Sequence, residues 1–267
     1  MAQPVSALII TGYGASCEAE CEYAAKQAGA TTVKIAYFAE LASGNISLEQ
    51  YNFIIFPGGF LDGDDIGVAQ AAAQRWKTTV VNGLSLVDHL KKSLDSGALL
   101  MGIGNGFQLL VKLGFLPNTQ KTTEQEFSFV HNLSGKFENR WCHVAVNANS
   151  PCVFTKGLTQ FYLPVRHASG RLVASTDEGV AHLAKSNAVV MQYIDPVSQK
   201  VTEEYPHNPS GVESGIAALC DASGRVFGLM LHPEAHIHPT NHPQWTNNGE
   251  APLGTLLFEN AVNFLKQ

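Results

Sequence analysis

The first half of the chain alternates short apolar runs with longer stretches in which apolar residues recur every three or four positions, and glycines stand at the junctions. A short apolar run closed by turn residues reads as a buried strand, and the 3.6-residue recurrence reads as a helix lying on it. Ser6–Ile10, Thr32–Ala36, Phe53–Phe56 and Ala98–Ile103 are therefore predicted strands. The predicted helices are Glu18–Ala28, stopped by Gly29, then Ile66–Val81, Leu84–Leu94 and Asn105–Leu113. Such alternation is the rhythm of βαβ units around a parallel sheet.

From about Glu124 the pattern changes to β-rich segments separated by turns. Arg140–Val146, Phe161–Val165, Val189–Ile194, Gly215–Leu219 and Val226–Leu231 are predicted strands, the last following the turn Asp221–Gly224. They are expected to extend the same sheet in antiparallel fashion. A final helix, Leu253–Lys266, puts Leu253, Leu257, Ala261 and Leu265 on one face, which docks on the core. With no repeat, low-complexity tract or charge block, residues 1–267 read as one α/β domain, and Asn241–Glu250 is expected to be its mobile loop.

Composition narrows the partners. The 267 residues are 45% hydrophobic and 15% charged, with a net charge of −6, so there is no basic footprint for nucleic acid or for an anionic membrane. The apolar stretch Val5–Ile10 has no Lys or Arg before it and is broken by Thr11-Gly12, which fits neither a signal peptide nor a membrane span. Five scattered cysteines, an odd number, read as reduced thiols of a cytoplasmic protein. The sequons at Asn45 and Asn132 carry no meaning without a secretory signal.

Candidate chemistry concentrates in a few strings. Ala98 to Gln108 runs strand, then Gly102-Ile103-Gly104-Asn105-Gly106, then helix, which is the shape of a nucleophile elbow. The tip residue is Gly104, where such an elbow needs a Ser or Cys; a plain Gly-rich turn or a phosphate-binding turn has the same spacing. In His232-Pro233-Glu234 the proline disfavours helix at His232, so an extended segment is expected in which Glu234 orients His232 as a general base. The same tripeptide also occurs in ordinary loops.

His232, Glu234, His236, His238 and His242 could ligate a metal, with His236 and His238 on one face, but no tight ligand spacing occurs and the flanking Pro and Asn fit a solvated loop. No metal is assigned. Gly12-Tyr13-Gly14-Ala15-Ser16-Cys17 follows a strand and opens a helix, yet it lacks the third glycine and the acidic residue of a dinucleotide site. Cys17 reads as a buried structural thiol or as a reactive one near a helix N-terminus.

Taken in order, these strings resemble the class I glutamine amidotransferases, and within them the glutaminase-subunit family of phosphoribosylformylglycinamidine synthase. The matching stretches are Thr11 to Glu18, Phe56-Pro57-Gly58-Gly59-Phe60, Gly63-Asp64, Gly102 to Leu110, Phe137 to Trp141, Pro164-Val165-Arg166-His167, Asn208-Pro209-Ser210-Gly211 and His232-Pro233-Glu234. The resemblance implies a class I glutamine amidotransferase-like, flavodoxin-like fold and an elbow cysteine that forms a glutamyl thioester with glutamine. Ammonia is then released to a separate ATP-dependent synthetase subunit, and no cofactor is implied in this chain. It further implies His232 and Glu234 as the catalytic pair, backbone N–H groups of Gly59 and Asn105 as the oxyanion hole, and Gly58, Gln108 and His167 as substrate contacts. Gly104 stands at the nucleophile position, so glutamine hydrolysis by that route is expected to be lost. Ala168-Ser169 and Leu231 also depart from the family's usual Gly-Glu and Pro. Two other readings follow: a non-catalytic docking or regulatory partner of the synthetase, and a metal-dependent hydrolase on the His232–His242 stretch.

Overall fold

Every side chain of Phe53–Phe56 and Leu99–Ile103 is buried, which marks these two runs as the centre of a sheet covered on both faces. The computed structural model describes residues 3–118, 124–176, 178–247 and 253–267. Its elements are β1 (Ser6–Thr11), α1 (Glu18–Gln27), β2 (Thr32–Tyr37), α2 (Phe38–Ala42), β3 (Phe53–Phe56), α3 (Gln70–Thr78), β4 (Val80–Val81), β5 (Leu84–Ser85), α4 (Leu86–Asp95), β6 (Leu99–Ile103) and α5 (Asn105–Lys112). Then come β7 (Phe127–Val130), β8 (Glu138–Val146), β9 (Gln160–His167), β10 (Arg171–Ala174), α6 (Gly179–Ala184), β11 (Val189–Tyr193), β12 (Ile216–Cys220), β13 (Val226–Leu229) and α7 (Thr255–Leu265).

Nine strands form one sheet in the order β2-β1-β3-β6-β13-β12-β11-β8-β9. The first five run parallel, and β12, β11, β8 and β9 follow in antiparallel pairings, as the change of pattern after Glu124 predicts. Because parallel crossovers are right-handed, the step from β1 out to β2 and the step from β3 to β6 send their helices to opposite faces. Accordingly α1 packs with α7, and α3 packs with α4 and α5. Leu257, Phe258, Ala261, Val262 and Leu265 are the buried stripe of α7, and Phe258 reaches Phe53 of the central sheet. The direction of winding reverses between β1 and β3, so the crevice for a ligand opens at the carboxyl ends of β1, β3 and β6.

Several boundaries differ from the sequence expectation. The helix expected over Ile66–Val81 begins only at Gln70, because Asp64 accepts a hydrogen bond from the Ala69 N–H at 2.8 Å and Ala69 is left-handed, with φ 52°. It ends at Thr78, where β4 and β5 form a small hairpin turned by Asn82 and Gly83, both with positive φ. The pair β7 and β10, and the short helices α2 and α6, are four to six residues long and carry too little periodicity to be read from sequence. Val226–Leu231 is strand only to Leu229, beyond which the chain leaves β6 and Leu231 bridges Val165. Of the loop Asn241–Glu250, residues 248–250 lie outside the described residues; the part before them is a series of turns in which His242 is buried.

Candidate functional site

The site forms where β6 and β13 end side by side. Their parallel register pairs Ile103 with Leu229, and the Gly104 N–H donates to the Leu229 carbonyl at 2.8 Å, so the tip of the β6–α5 turn is tied to the strand that leads to His232. Gly104 has φ 51° and ψ −111°, a backbone that a residue with a side chain adopts only under strain. A Cβ on Gly104 would lie 3.1 Å from Nε2 of His232 and 3.3 Å from its Cε1. The elbow is therefore aimed at the imidazole, although it carries no side chain.

His232 is held from three sides. Its N–H donates to the Pro164 carbonyl of β9 at 2.8 Å, its Nδ1 lies 2.6 Å from Oε1 of Glu234, and its ring lies against Gly58, where a Cβ would come within 2.7 Å of Cε1. The expected extended arrangement is corrected here: Pro233–Ala235 is a single 3₁₀ turn, and Glu234 reaches His232 by folding back beneath it. Proline fits the start of such a turn because the N–H it lacks would be unpaired there. Both side chains are buried, His232 to 3% exposure and Glu234 to 1%. Burial works against the imidazolium, but the Glu234 carboxylate, together with Cys17, outweighs it and raises the His232 pKa to about 9. Nε2, on the side of Gly104, has no hydrogen-bond partner among the described residues.

The cleft beside His232 is lined by Gly59, Gly104, Asn105, Gln108 and His167, all named from the sequence, and also by Phe60, Asp64, Arg166, Ser169 and Met230. The N–H of Asn105 is the first of α5, one of the groups that a helix leaves unpaired, and Gly59 lies across the cleft from it. The Asn105 side chain ties the rim together. Its Oδ1 accepts from the Leu61 N–H at 2.7 Å, and its Nδ2 donates to Asp64 at 3.2 Å and to Oε1 of Gln108 at 2.8 Å. Gln108 in turn donates to the Ser169 carbonyl at 2.5 Å, so both ends of its amide are engaged. Burial raises the Asp64 carboxyl above the usual range.

His167 ends β9 and is buried. Asn132 donates through Nδ2 to the carbonyls of Lys136 and His167, so its Oδ1 is the acceptor facing Nδ1 of His167 at 3.0 Å. Nδ1 must then carry the proton, which leaves Nε2 as an acceptor with no partner among the described residues. Burial, then the neighbouring His232, pulls the His167 pKa down to about 3, so this ring is neutral.

The glycine-rich loop after β1 is a brace. Ser16 N–H donates to the Gly58 carbonyl at 2.8 Å, Phe60 N–H to the Gly14 carbonyl at 2.9 Å and Asp62 N–H to the Tyr13 carbonyl at 2.7 Å, so its polar groups hold Gly58–Asp62 in place. Cys17, at the cap of α1, is half-buried and stands beside His232, which corrects the reading of it as a buried structural thiol. Of the histidines after His232, His236 and His242 are buried together against Trp141, their ring centroids 5.7 Å apart, while His238 is exposed and bonded to Thr240, so the three do not form one cluster.

Asp64, Ser169 and Phe60 were not singled out from sequence as site residues. Asp64 and Phe60 lie within matching stretches and Ser169 within the departure Ala168-Ser169, but the contact of Ser169 with Gln108 joins residues 61 positions apart and leaves no local signal.

Comparison with known proteins places this geometry. The family profile of the CobB/CobQ-like glutamine amidotransferase domain matches residues 4–265. The phosphoribosylformylglycinamidine synthase subunit PurQ of Dehalococcoides mccartyi is 38% identical over 98% of this chain and 98% of its own length. The PurQ subunit of Methanococcus maripaludis is 38% identical over 89% of this chain and 86% of its own. Among solved structures, a chain in the structure of PurLQS from Thermotoga maritima superimposes with a TM-score of 0.71 and 26% identity, covering 99% of this chain and 100% of that one.

Proposed function

Since the chain belongs to the CobB/CobQ-like glutamine amidotransferase family, we propose that it is the glutaminase-type subunit of phosphoribosylformylglycinamidine synthase in purine biosynthesis, with a glutamine cleft whose nucleophile position is empty of a side chain. The observation that carries this reading is the Cβ direction of Gly104, which points at Nε2 of a buried, Glu234-bound His232. Its partners are glutamine and the ATP-dependent synthetase subunit, its compartment is the cytoplasm, and the chain itself uses no cofactor.

In this reading the γ-carboxamide of glutamine sits over Gly104 with its oxygen toward the N–H groups of Gly59 and Asn105, which stabilise negative charge as the carbonyl carbon becomes tetrahedral. His167 offers an acceptor lone pair to a donor on the substrate, and Gly58 leaves room for the His232 ring. Gln108, with both amide ends engaged, shapes the wall. A thiol at position 104 would attack the carboxamide carbon while His232 passes a proton to the departing ammonia, and water would then release glutamate from the thioester. Glycine supplies no sulfur, so no thioester forms and glutamine is held without turnover.

The experiment is glutamate release from glutamine by the chain and by Gly104→Cys, with synthetase, ATP and formylglycinamide ribonucleotide present. Turnover by the variant alone supports the reading; turnover by neither overturns the glutamine cleft. The missing side chain also favours a second reading, a non-catalytic docking subunit that shapes the synthetase's ammonia entrance. Millimolar glutamine raises the melting temperature under the first reading and leaves it unchanged under the second.

A further inference from the structure

One contact is idle in the chemistry above. Cys17 is unused by the glutaminase reading, yet its Sγ, a ring nitrogen of His232 and a carboxylate oxygen of Glu234 all lie within 4.8 Å of one another. The geometry points to a binding site for one thiophilic divalent cation of the zinc type, held by Cys17, His232 and Glu234.

Three observations support the site. Glu234 is 1% exposed, and while Oε1 takes the Nδ1 of His232, Oε2 has no hydrogen-bond partner among the described residues. A buried carboxylate oxygen without a partner is costly, and a bound cation is one of the few groups that can satisfy it. Cys17 is half-buried at the cap of α1, so the group has an entrance from solvent, whereas His232 and Glu234 are enclosed. The donors are one sulfur, one imidazole nitrogen and one carboxylate oxygen, a set that suits zinc and its soft neighbours and is wrong for magnesium or calcium, which take oxygen alone.

Distances agree with this choice. Zinc bonds of about 2.0 to 2.3 Å in a tetrahedron put ligand atoms roughly 3.3 to 3.7 Å apart. No pair here exceeds 4.8 Å, so closure by at most about 1.5 Å, a rotamer-sized movement for Cys17, brings the sulfur into place. Three protein ligands leave the fourth position to water. On binding, the thiol proton and the proton of the ligating His232 nitrogen are released to solvent, and the charges of one thiolate and one carboxylate balance the cation. Cys21 lies nearby but is buried, and burial, then the Glu234 carboxylate, pushes its thiol up, so it stays protonated and outside the set.

The consequence is an off state of the catalytic pair. A cation on His232 and Glu234 removes the base that would serve a thiol at position 104.

The test is titration of chelator-treated full-length chain with Co2+, followed by Zn2+. The expected result is one Co2+ per chain with a thiolate-to-cobalt charge-transfer band, displaced by Zn2+. Cys17→Ser loses the band, Glu234→Gln weakens binding roughly tenfold or more, and Cys21→Ser keeps both. A parent chain with no thiolate band, or a band that survives Cys17→Ser or disappears in Cys21→Ser, overturns the site. Should Cys17→Ser fail to fold, the parent chain decides the matter: stoichiometric Zn2+ protects Cys17 from alkylation by iodoacetamide, read by mass of its peptide, and alkylation at an unchanged rate overturns the site. These readouts use no glutamine, so they stand apart from the glutaminase reading.

Discussion

Gly104 and His232, 128 positions apart in sequence, face each other so closely that the missing Cβ of the first would sit 3.1 Å from Nε2 of the second. At φ 51° and ψ −111° this turn is free of strain only with glycine. Gly104→Ala is expected to lower stability by about 1 to 3 kcal/mol, from backbone strain and from the tight approach to His232. Urea denaturation measures it, and an unchanged or higher midpoint would show the turn to be relaxed.

Gly58 keeps space for the imidazole. Gly58→Ala places a methyl 2.7 Å from Cε1 of His232, in a buried site where the ring is already fixed by Glu234 and the chain beside it by Pro164. A loss of about 1 to 3 kcal/mol is expected from overpacking. In a Gly104→Cys background the same change should reduce the glutamate release rate by roughly tenfold or more, because the base is pushed out of line. Equal rates with and without the methyl would refute this.

Asn105 is the knot of the rim. Asn105→Ala leaves the Leu61 N–H and Oε1 of Gln108 without partners, a cost of about 1 to 3 kcal/mol. It should also abolish the rise in melting temperature that glutamine produces, since the wall against Gln108 and Ser169 loosens. A full glutamine shift in this variant would separate the network from binding.

The two cleft histidines give stability opposite pH dependences. His232 has its folded pKa raised to about 9 from an ordinary value of 6.5, so its contribution is fully present below 6.5 and is lost as pH rises through about 9. His167 is depressed to about 3 from 6.5, so its contribution is fully present above 6.5 and is lost as pH falls toward 3. Together they predict a stability maximum near pH 6.5. His167→Asn should flatten the acid side and Glu234→Gln the alkaline side, as followed by melting temperature against pH; parallel profiles for parent and variants would exclude the assignment.

Much of this molecule was legible in its residues. Phe53–Phe56 and the apolar run ending at Ile103 are strands because four or five consecutive apolar residues can only be satisfied where both faces are covered, and Leu257, Ala261 and Leu265 form the buried stripe of α7 because their spacing follows the helix turn. The elbow was visible because its glycines are a local backbone requirement written in adjacent positions, whereas the roles of Gly58, Gly59 and Asn105 followed from the family resemblance of the strings that contain them. What the tertiary structure alone decided are the meetings between distant segments. The fold-back of Glu234 under His232, the neutral tautomer of His167 set by Asn132, the approach of Cys17 to the catalytic pair and the burial of His236 against Trp141 depend on which strand lies beside which and in what register. Periodicity reports the environment of a residue along its own element, whereas a side-chain contact across elements is fixed only when the sheet closes and brings the two carboxyl ends level.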